Sequence, residues 1–241
     1  MIDVNEYKDK RILVTGGAGF IGSHLVDKLL SLGAARVAAM DNLFLGKPEN
    51  TIGARDYGER FHLYREDAAE RDAMDVVIEA EKPDYVFNLA TKALIYSFFN
   101  PAGAYQVNVD IALNLCEALR KKRFGRLVHV STSEVYGTAQ FVPMTEEHPL
   151  LAETTYAAGK AAADLAIASY VNQYDIDVTT VRPFNNYGPR QNDGELAAII
   201  PLTARRIMNG ERPVIQGDGL QTRDFVYVAD TVDGLMKFGL A

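Results

Sequence analysis

Between a short apolar run, Arg11-Ile-Leu-Val-Thr15, and a helix-like stretch reaching Leu32 stands the segment Gly16-Gly17-Ala18-Gly19-Phe20-Ile21-Gly22. A strand, a glycine turn and a helix in that order leave few folds open. Gly17, Gly19 and Gly22 have the G-x-G-x-x-G spacing, and Gly16, Gly19 and Gly22 form a second, overlapping set. Such glycines allow a tight turn, close backbone approach to a pyrophosphate, and close packing of helix on strand. The helix start adds free N–H groups and a partial positive charge. Alone the fingerprint is weak, and a solvated turn is the competing reading. Here an acid, Asp41, closes the next strand. A carboxylate there accepts bonds from adenosine ribose hydroxyls and repels a 2′-phosphate, so the expected cofactor is NAD rather than NADP. Asp67 ends the third strand, where it would either meet the adenine or cap a surface helix.

The strand–helix alternation continues. Apolar runs at 11–15, 36–40, 61–64, 85–89, 127–131 and 178–181 are separated by helical patterns, among them 72–80, 104–122 and 156–174. Continuous apolar runs suit strands covered on both faces. The expected fold class is therefore α/β, a doubly wound parallel sheet built from right-handed βαβ units. After Arg182 the pattern changes, with Pro183, Gly188, Pro189, Gly194 and Pro201 as punctuation. The expected division is a dinucleotide-binding domain over 1–182 and a partial substrate-binding region over 183–241, interleaved with it.

The 241 residues, 48% of them hydrophobic, can bury one full core. A net charge of −7, with both signs interleaved, argues against nucleic acid as a partner. The single cysteine, Cys116, lies in an apolar helical stretch and reads as a buried bystander. It excludes a disulfide framework and suits a reducing compartment. The N-terminus is charged, and no apolar stretch is long enough to span a bilayer. No membrane partner and no metal are expected, and the expected location is cytoplasmic.

Tyr156 and Lys160 lie four residues apart on an expected helix, hence on one face. A tyrosine with an ordinary pKa of about 10 is a poor base at neutral pH. A neighbouring ammonium and a positive nicotinamide ring both favour the phenolate. In isolation such a pair is more often a surface feature, but here it follows a hydroxyl-rich strand end, Ser131-Thr132-Ser133-Glu134. Thr132 can hydrogen-bond a reacting sugar oxygen, and Glu134 is a second acid–base group. Ser131 and Tyr136 read as part of a polar turn and its packing.

Together these residues resemble the extended short-chain dehydrogenases, specifically the NAD-dependent nucleotide-sugar epimerase/dehydratase family. The matching stretches are TGGAGFIGSHL, MDN, STSEVYG, YAAGK, VRPFNNYGPRQ and QTRDFVYVAD, in family order. The spacing of Gly16, Gly19 and Gly22 is the one usual in that group. The resemblance implies a Rossmann fold in which Phe20, Ile21, Asn42, Leu89 and Ala90 join the glycines, Asp41 and Asp67 at NAD. It implies that Tyr156 takes the proton from a sugar 4-hydroxyl while Lys160 tunes it and holds the nicotinamide ribose. Thr132 would bond the sugar oxygen, and Ser133, Asn185, Arg190 and Arg223 would hold a nucleotide-sugar substrate. A guanidinium fork suits a diphosphate; the other reading of Arg223 is an ion pair with Asp224 or Asp218. A homodimer is implied as well, paired through the helices at 104–122 and 156–174.

The sequence departs from the family pattern in three places. Asn88-Leu89-Ala90-Thr91 replaces the commoner His-Leu-Ala-Ala. Gly159 stands where a serine is usual, which implies close packing or close ligand approach, since glycine within a helix costs about 1 kcal/mol. The chain ends at Ala241, where family members continue, so the resemblance implies a truncated or unusually short member. Three fates are open to the 4-keto sugar: re-reduction to the 4-epimer, loss of water, or loss of carbon dioxide from a uronic acid. Ser133, where dTDP-glucose dehydratases carry an aspartic acid, is a poor proton donor to a leaving hydroxyl. Glu134 keeps both dehydration and decarboxylation in view. The leading expectation is a 4-epimerase akin to UDP-glucose 4-epimerase. A 4,6-dehydratase, a UDP-glucuronate decarboxylase and a non-catalytic NAD-binding regulator are the alternatives. Retention of Tyr156, Lys160 and Thr132 argues against the last.

Overall fold

In the computed structural model, which describes residues 4–194, 197–215 and 217–241, each apolar run noted above contributes a strand to one parallel sheet. The strands are β1 (Arg11–Thr15), β2 (Arg36–Met40), β3 (Phe61–Tyr64), β4 (Tyr85–Asn88), β5 (Arg126–Val130) and β6 (Val178–Val181). Their order is β3-β2-β1-β4-β5-β6, and every neighbouring pair is parallel. The helices are α1 (Phe20–Ser31), a single turn α2 (Ile52–Arg55), α3 (Arg71–Glu81), α4 (Pro101–Arg120), α5 (Thr155–Tyr174), α6 (Ile199–Met208) and α7 (Val228–Phe238). A second, small sheet pairs β7 (Asn185–Tyr187) with β8 (Phe225–Tyr227).

Alternation along the strands feeds two cores, because successive side chains leave a strand on opposite faces. Leu13, Met40, Val86 and Leu127 pack with Met74 and Ile78 of α3, Leu115 and Cys116 of α4, and Ile167 of α5. Ile12, Val14, Ala39, Phe87 and Val128 pack on the other face with Leu25 and Leu29 of α1 and Leu235 and Met236 of α7. Cys116 is fully buried, and burial pushes its thiol up to about 12, as befits an inert core residue. The region after Arg182 does not stay apart. Helix α7 returns to the main sheet, and the Tyr7 hydroxyl donates to the Met236 carbonyl at 2.8 Å. None of the described helices is long and apolar enough to cross a membrane.

The chain winds outward in both directions from β1 and β4, so their carboxyl ends diverge into a crevice. In open α/β sheets that switch point is where ligands bind.

Candidate functional site

The glycine turn leaves β1 at this crevice. Gly16 is left-handed, at φ +69°, and a Cβ added there would lie 2.8 Å from the Leu89 and Ala90 backbone. A Cβ at Gly22 would come within 2.1 Å of the Gly16 carbonyl, so the helix meets the turn with no room for a side chain. Gly19 caps α1 without a side-chain hydrogen bond, which leaves the first-turn N–H groups to a ligand. Gly16, Gly19, Phe20, Ile21 and Gly22 all line the cleft.

Asp41, just beyond β2, is 9% exposed and also lines the cleft. Its Oδ2 accepts from Ala18 N at 3.0 Å and its Oδ1 from Leu43 N at 2.9 Å. Burial raises its pKa, and these backbone donors offset only part of the rise. Asn42 donates to Asp67 Oδ2 at 2.7 Å, and Asp67 Oδ1 accepts from Ala69 N. Asp67 is thus a wall of the cleft, while Glu70 occupies the N-cap of α3. Leu89 and Ala90 complete this side. Asn88 turns inward instead. It is 1% exposed, accepts from Thr15 Oγ1 at 2.6 Å, and its Nδ2 faces His129 Nδ1 at 2.9 Å.

The 183–194 segment folds down over α1. His24 Nε2 lies 3.0 Å from the Pro189 carbonyl, and Lys47 pairs with Asp193 at 3.0 Å. Arg190 is left-handed, at φ +66°, and pairs with Asp27 at 2.7 Å. It lines the cleft, and its Nη1 is buried with no protein partner. A buried guanidinium N–H in a cleft wall fits an anionic ligand. The glycine cradle, the uncapped helix start and the Asp41 carboxylate together fit a dinucleotide.

The chemical end of the cleft is lined by Thr132, Tyr156 and Lys160. Thr132 accepts from Glu134 N at 3.2 Å as it opens a 3-10 turn over Ser133–Tyr136. Thr154 caps α5, accepting from Ala157 N, which puts Tyr156 in the first turn of that helix and Lys160 one turn on. Lys160 is 2% exposed and donates to the Val130 carbonyl at 2.7 Å. Burial brings its pKa down to about 8, against an upward pull from Asp164. Burial pushes the Tyr156 phenol up to about 12. The Thr132 and Thr91 hydroxyls favour its phenolate, and the Glu134 carboxylate opposes it. Within the protein alone, desolvation therefore outweighs the help that these hydroxyls give Tyr156. Positive charge brought into the cleft acts in the opposite sense.

Beneath Lys160 runs a buried polar network that the sequence reading missed. Asp164 Oδ2 accepts from Ser131 Oγ at 3.0 Å and Arg182 Nε at 2.8 Å. Arg182 also donates to the Tyr136 hydroxyl at 3.0 Å. His129 Nε2 stands 3.8 Å from Asp164 Oδ1, and both atoms are buried without a hydrogen-bond partner. Burial, and then the cations Lys160 and Arg182, hold His129 neutral.

Several expected substrate contacts lie elsewhere. Asn185 is not on the cleft wall; Asn186 is, and it accepts from the Thr231 hydroxyl. Adjacent strand residues face opposite ways, and Asn185 is turned to the Asp224 carbonyl. Ser133 and Glu134 also sit off the wall, with Ser133 N bonded to the Pro183 carbonyl. Arg223 is exposed, donates to the adjacent Thr222 carbonyl, and among the described residues makes no ion pair. Thr91, Lys92 and Phe44 line the cleft unannounced, and Lys92 lies 3.8 Å over the Phe44 ring. Thr91 was visible in the sequence only as a departure from the family pattern.

The family model for NAD-dependent epimerases and dehydratases matches residues 12–239. The chain belongs to this NAD-dependent epimerase/dehydratase family. It is 37% identical over 231 residues to a UDP-glucose 4-epimerase of Mycolicibacterium smegmatis, covering 95% of this chain and 73% of that one. It is 39% identical over 238 residues to UDP-glucuronic acid decarboxylase 6 of Arabidopsis thaliana, covering 94% and 65%. The crystal structure of a dTDP-glucose 4,6-dehydratase from Streptomyces venezuelae with NAD bound superposes with a TM-score of 0.85 at 32% identity, covering 94% and 70%. The chain thus spans about two thirds to three quarters of the length of these relatives. It is a nucleotide-sugar-modifying enzyme by family, with NAD as its cofactor.

Proposed function

We propose that the protein is a nucleotide-sugar 4-epimerase. The observation that carries this reading is the composition of the cleft's chemical end. Thr132, Tyr156 and Lys160, the set needed to oxidise and re-reduce one carbon, line it, while Ser133 and Glu134 do not. Gly16, Gly19, Gly22 and Asp41 would hold NAD, which would supply the acceptor for hydride from carbon four of the sugar. Tyr156 takes the proton from the 4-hydroxyl, and Thr132 orients that oxygen with its hydroxyl. Lys160, fixed by the Val130 carbonyl, places positive charge beside the site. Re-reduction on the opposite face, with Tyr156 returning the proton, completes epimerisation. Asp41 selects the cofactor, and Arg190 and Asn186 are the groups offered to the diphosphate and its nucleotide.

The second reading is UDP-glucuronate decarboxylation. Glu134 supports it, because its charge reaches Tyr156 even though its side chain leaves the wall. Incubating the NAD-loaded protein with UDP-glucose, UDP-glucuronic acid and dTDP-glucose, with products read by mass and NMR, separates the outcomes. Conversion of UDP-glucose to its 4-epimer supports the first reading. Release of carbon dioxide from UDP-glucuronic acid, abolished in Glu134→Gln, replaces it with the second.

A further inference from the structure

Lys160 carries its charge into a buried place, and its hydrogen-bond partner there is neutral, the Val130 carbonyl at 2.7 Å. A buried ammonium costs free energy unless an opposite charge stands near it. Asp164 follows four residues further along α5, on the same face of the helix. It too is buried, and it too reaches the end of β5. Lys160 bonds the carbonyl of Val130, and Asp164 Oδ2 accepts from the hydroxyl of the next residue, Ser131, at 3.0 Å. Two residues one turn apart on α5 thus meet two adjacent residues of the chain, immediately before Thr132. Arg182 Nε, just after β6, donates to the same carboxylate oxygen at 2.8 Å.

The other carboxylate oxygen faces His129, and the hydrogens between them can be counted. The Ala90 N–H, in the cofactor wall, donates to Thr15 Oγ1 at 3.3 Å, and Thr15 gives its single hydroxyl hydrogen to Asn88 Oδ1 at 2.6 Å. That fixes which way the Asn88 amide faces, so its Nδ2 donates to His129 Nδ1 at 2.9 Å. A neutral imidazole that accepts at Nδ1 carries its hydrogen on Nε2. Nε2 is the atom 3.8 Å from Asp164 Oδ1. The ring therefore turns an N–H toward the carboxylate rather than a lone pair. Ser131, Arg182 and His129 all present hydrogen to Asp164, and together they fix it beside the Lys160 turn.

We propose that Asp164 is a positioning residue for Lys160: fixed by Ser131 and Arg182, its carboxylate holds the Lys160 ammonium against Val130, in register with Thr132. The inference rests on the reading of Lys160 as the cation beside Tyr156. Burial and the Asp164 charge pull on the Lys160 proton in opposite senses, as this arrangement requires. The other charged or titratable groups at this place are Arg182 after β6, neutral His129 on β5, and Tyr156 one turn earlier on α5. Glu134 and Tyr136 face it from the turn after β5.

The test follows Lys160 in the NAD-loaded full chain, read by NMR as the shift of its Cε against pH in isotope-labelled protein, with Lys160→Met identifying the signal. Asp164→Asn keeps the shape and removes the charge, and it should lower the Lys160 midpoint by about one to three pH units. Arg182→Gln removes the competing cation from the same carboxylate and should raise the midpoint. Loosened packing alone would not move one midpoint in opposite directions. The kcat for NADH formation from UDP-glucose at neutral pH should fall about 10- to 100-fold in Asp164→Asn, with KM and NAD affinity unchanged. An unmoved Lys160 midpoint in Asp164→Asn, or a fall in both variants, overturns the proposal. If Asp164→Asn leaves Arg182 uncompensated and does not fold, the double variant Asp164→Asn, Arg182→Gln removes both charges together. Its midpoint should lie below that of Arg182→Gln alone, and equal midpoints overturn the proposal. The titration needs no sugar. A protein that oxidises no nucleotide sugar therefore fails the proposed function while the midpoint still decides on Asp164.

Discussion

Tyr156 sits in the first turn of α5, half-buried in the cleft wall, so removing one oxygen there changes chemistry and little else. Tyr156→Phe should retain NAD binding and thermal stability. It should lose formation of the 4-keto sugar by about 10²- to 10⁴-fold, followed as NADH absorbance in single turnover. Asp41 makes a different kind of statement. Its carboxylate is already oriented by Ala18 N and Leu43 N, so we expect it to meet a ribose without rearranging. Asp41→Ala should weaken NAD about 10- to 100-fold by calorimetry while weakening NADP less, because the same change removes a repulsion. Both residues were legible from the sequence because a motif fixes each of them to a strand or helix end. Asn186 was not, since choosing between it and Asn185 depends on the register of β7 against β8. The Asp164 network was not legible either, because Ser131, Asp164 and Arg182 come together only through the sheet.

Among the elements, α4 and α5 pack backbone against backbone. A Cβ on Gly159 would lie 2.8 Å from the Tyr105 Cα and carbonyl oxygen, so this glycine answers to a neighbouring backbone rather than to a ligand. Backbone atoms cannot step aside as a flexible side chain can. Gly159→Ala should therefore destabilise by about 1–3 kcal/mol despite its better helix propensity, since overpacking exceeds the gain. The thermal midpoint should fall about 2–4 °C per kcal/mol lost, measured by circular dichroism. A rise in midpoint would show that the helices yield. The strands matched the apolar runs to within a residue, because burial on both faces leaves an unbroken signature. The start of α4 did not match. The sequence pattern places the helix from 104, but Pro101 occupies the first helical position, and the Asn100 side chain accepts from Gly103 N. Local chemistry suits either outcome there, and packing of α4 on the sheet decides it.

At the scale of the whole molecule, the outer faces of α4 and α5 leave Tyr105 and Leu165 exposed, with Phe98 and Phe99 just before α4. We expect two copies to pair there, and light scattering at micromolar concentration should give twice the chain mass. The stability of the fold also carries a pH signature. His129 is neutral in the folded protein, with its pKa well below 6.5, whereas the unfolded chain titrates near 6.5. The unfolded state therefore binds more protons as pH falls below about 6.5, and stability is lost there and retained above it. Urea midpoints between pH 5 and 7.5 should show this slope, and His129→Gln should flatten it. One further consequence follows from the contact between Tyr7 and Met236, 229 positions apart. Val232, Leu235 and Met236 close the layer that also holds Tyr7, Leu25 and Leu29. A ribosome making this chain exposes one side of the central strand long before it delivers the helix that covers it. Through the synthesis of the 229 positions between them the nascent protein carries an open apolar surface, which chaperones would have time to engage.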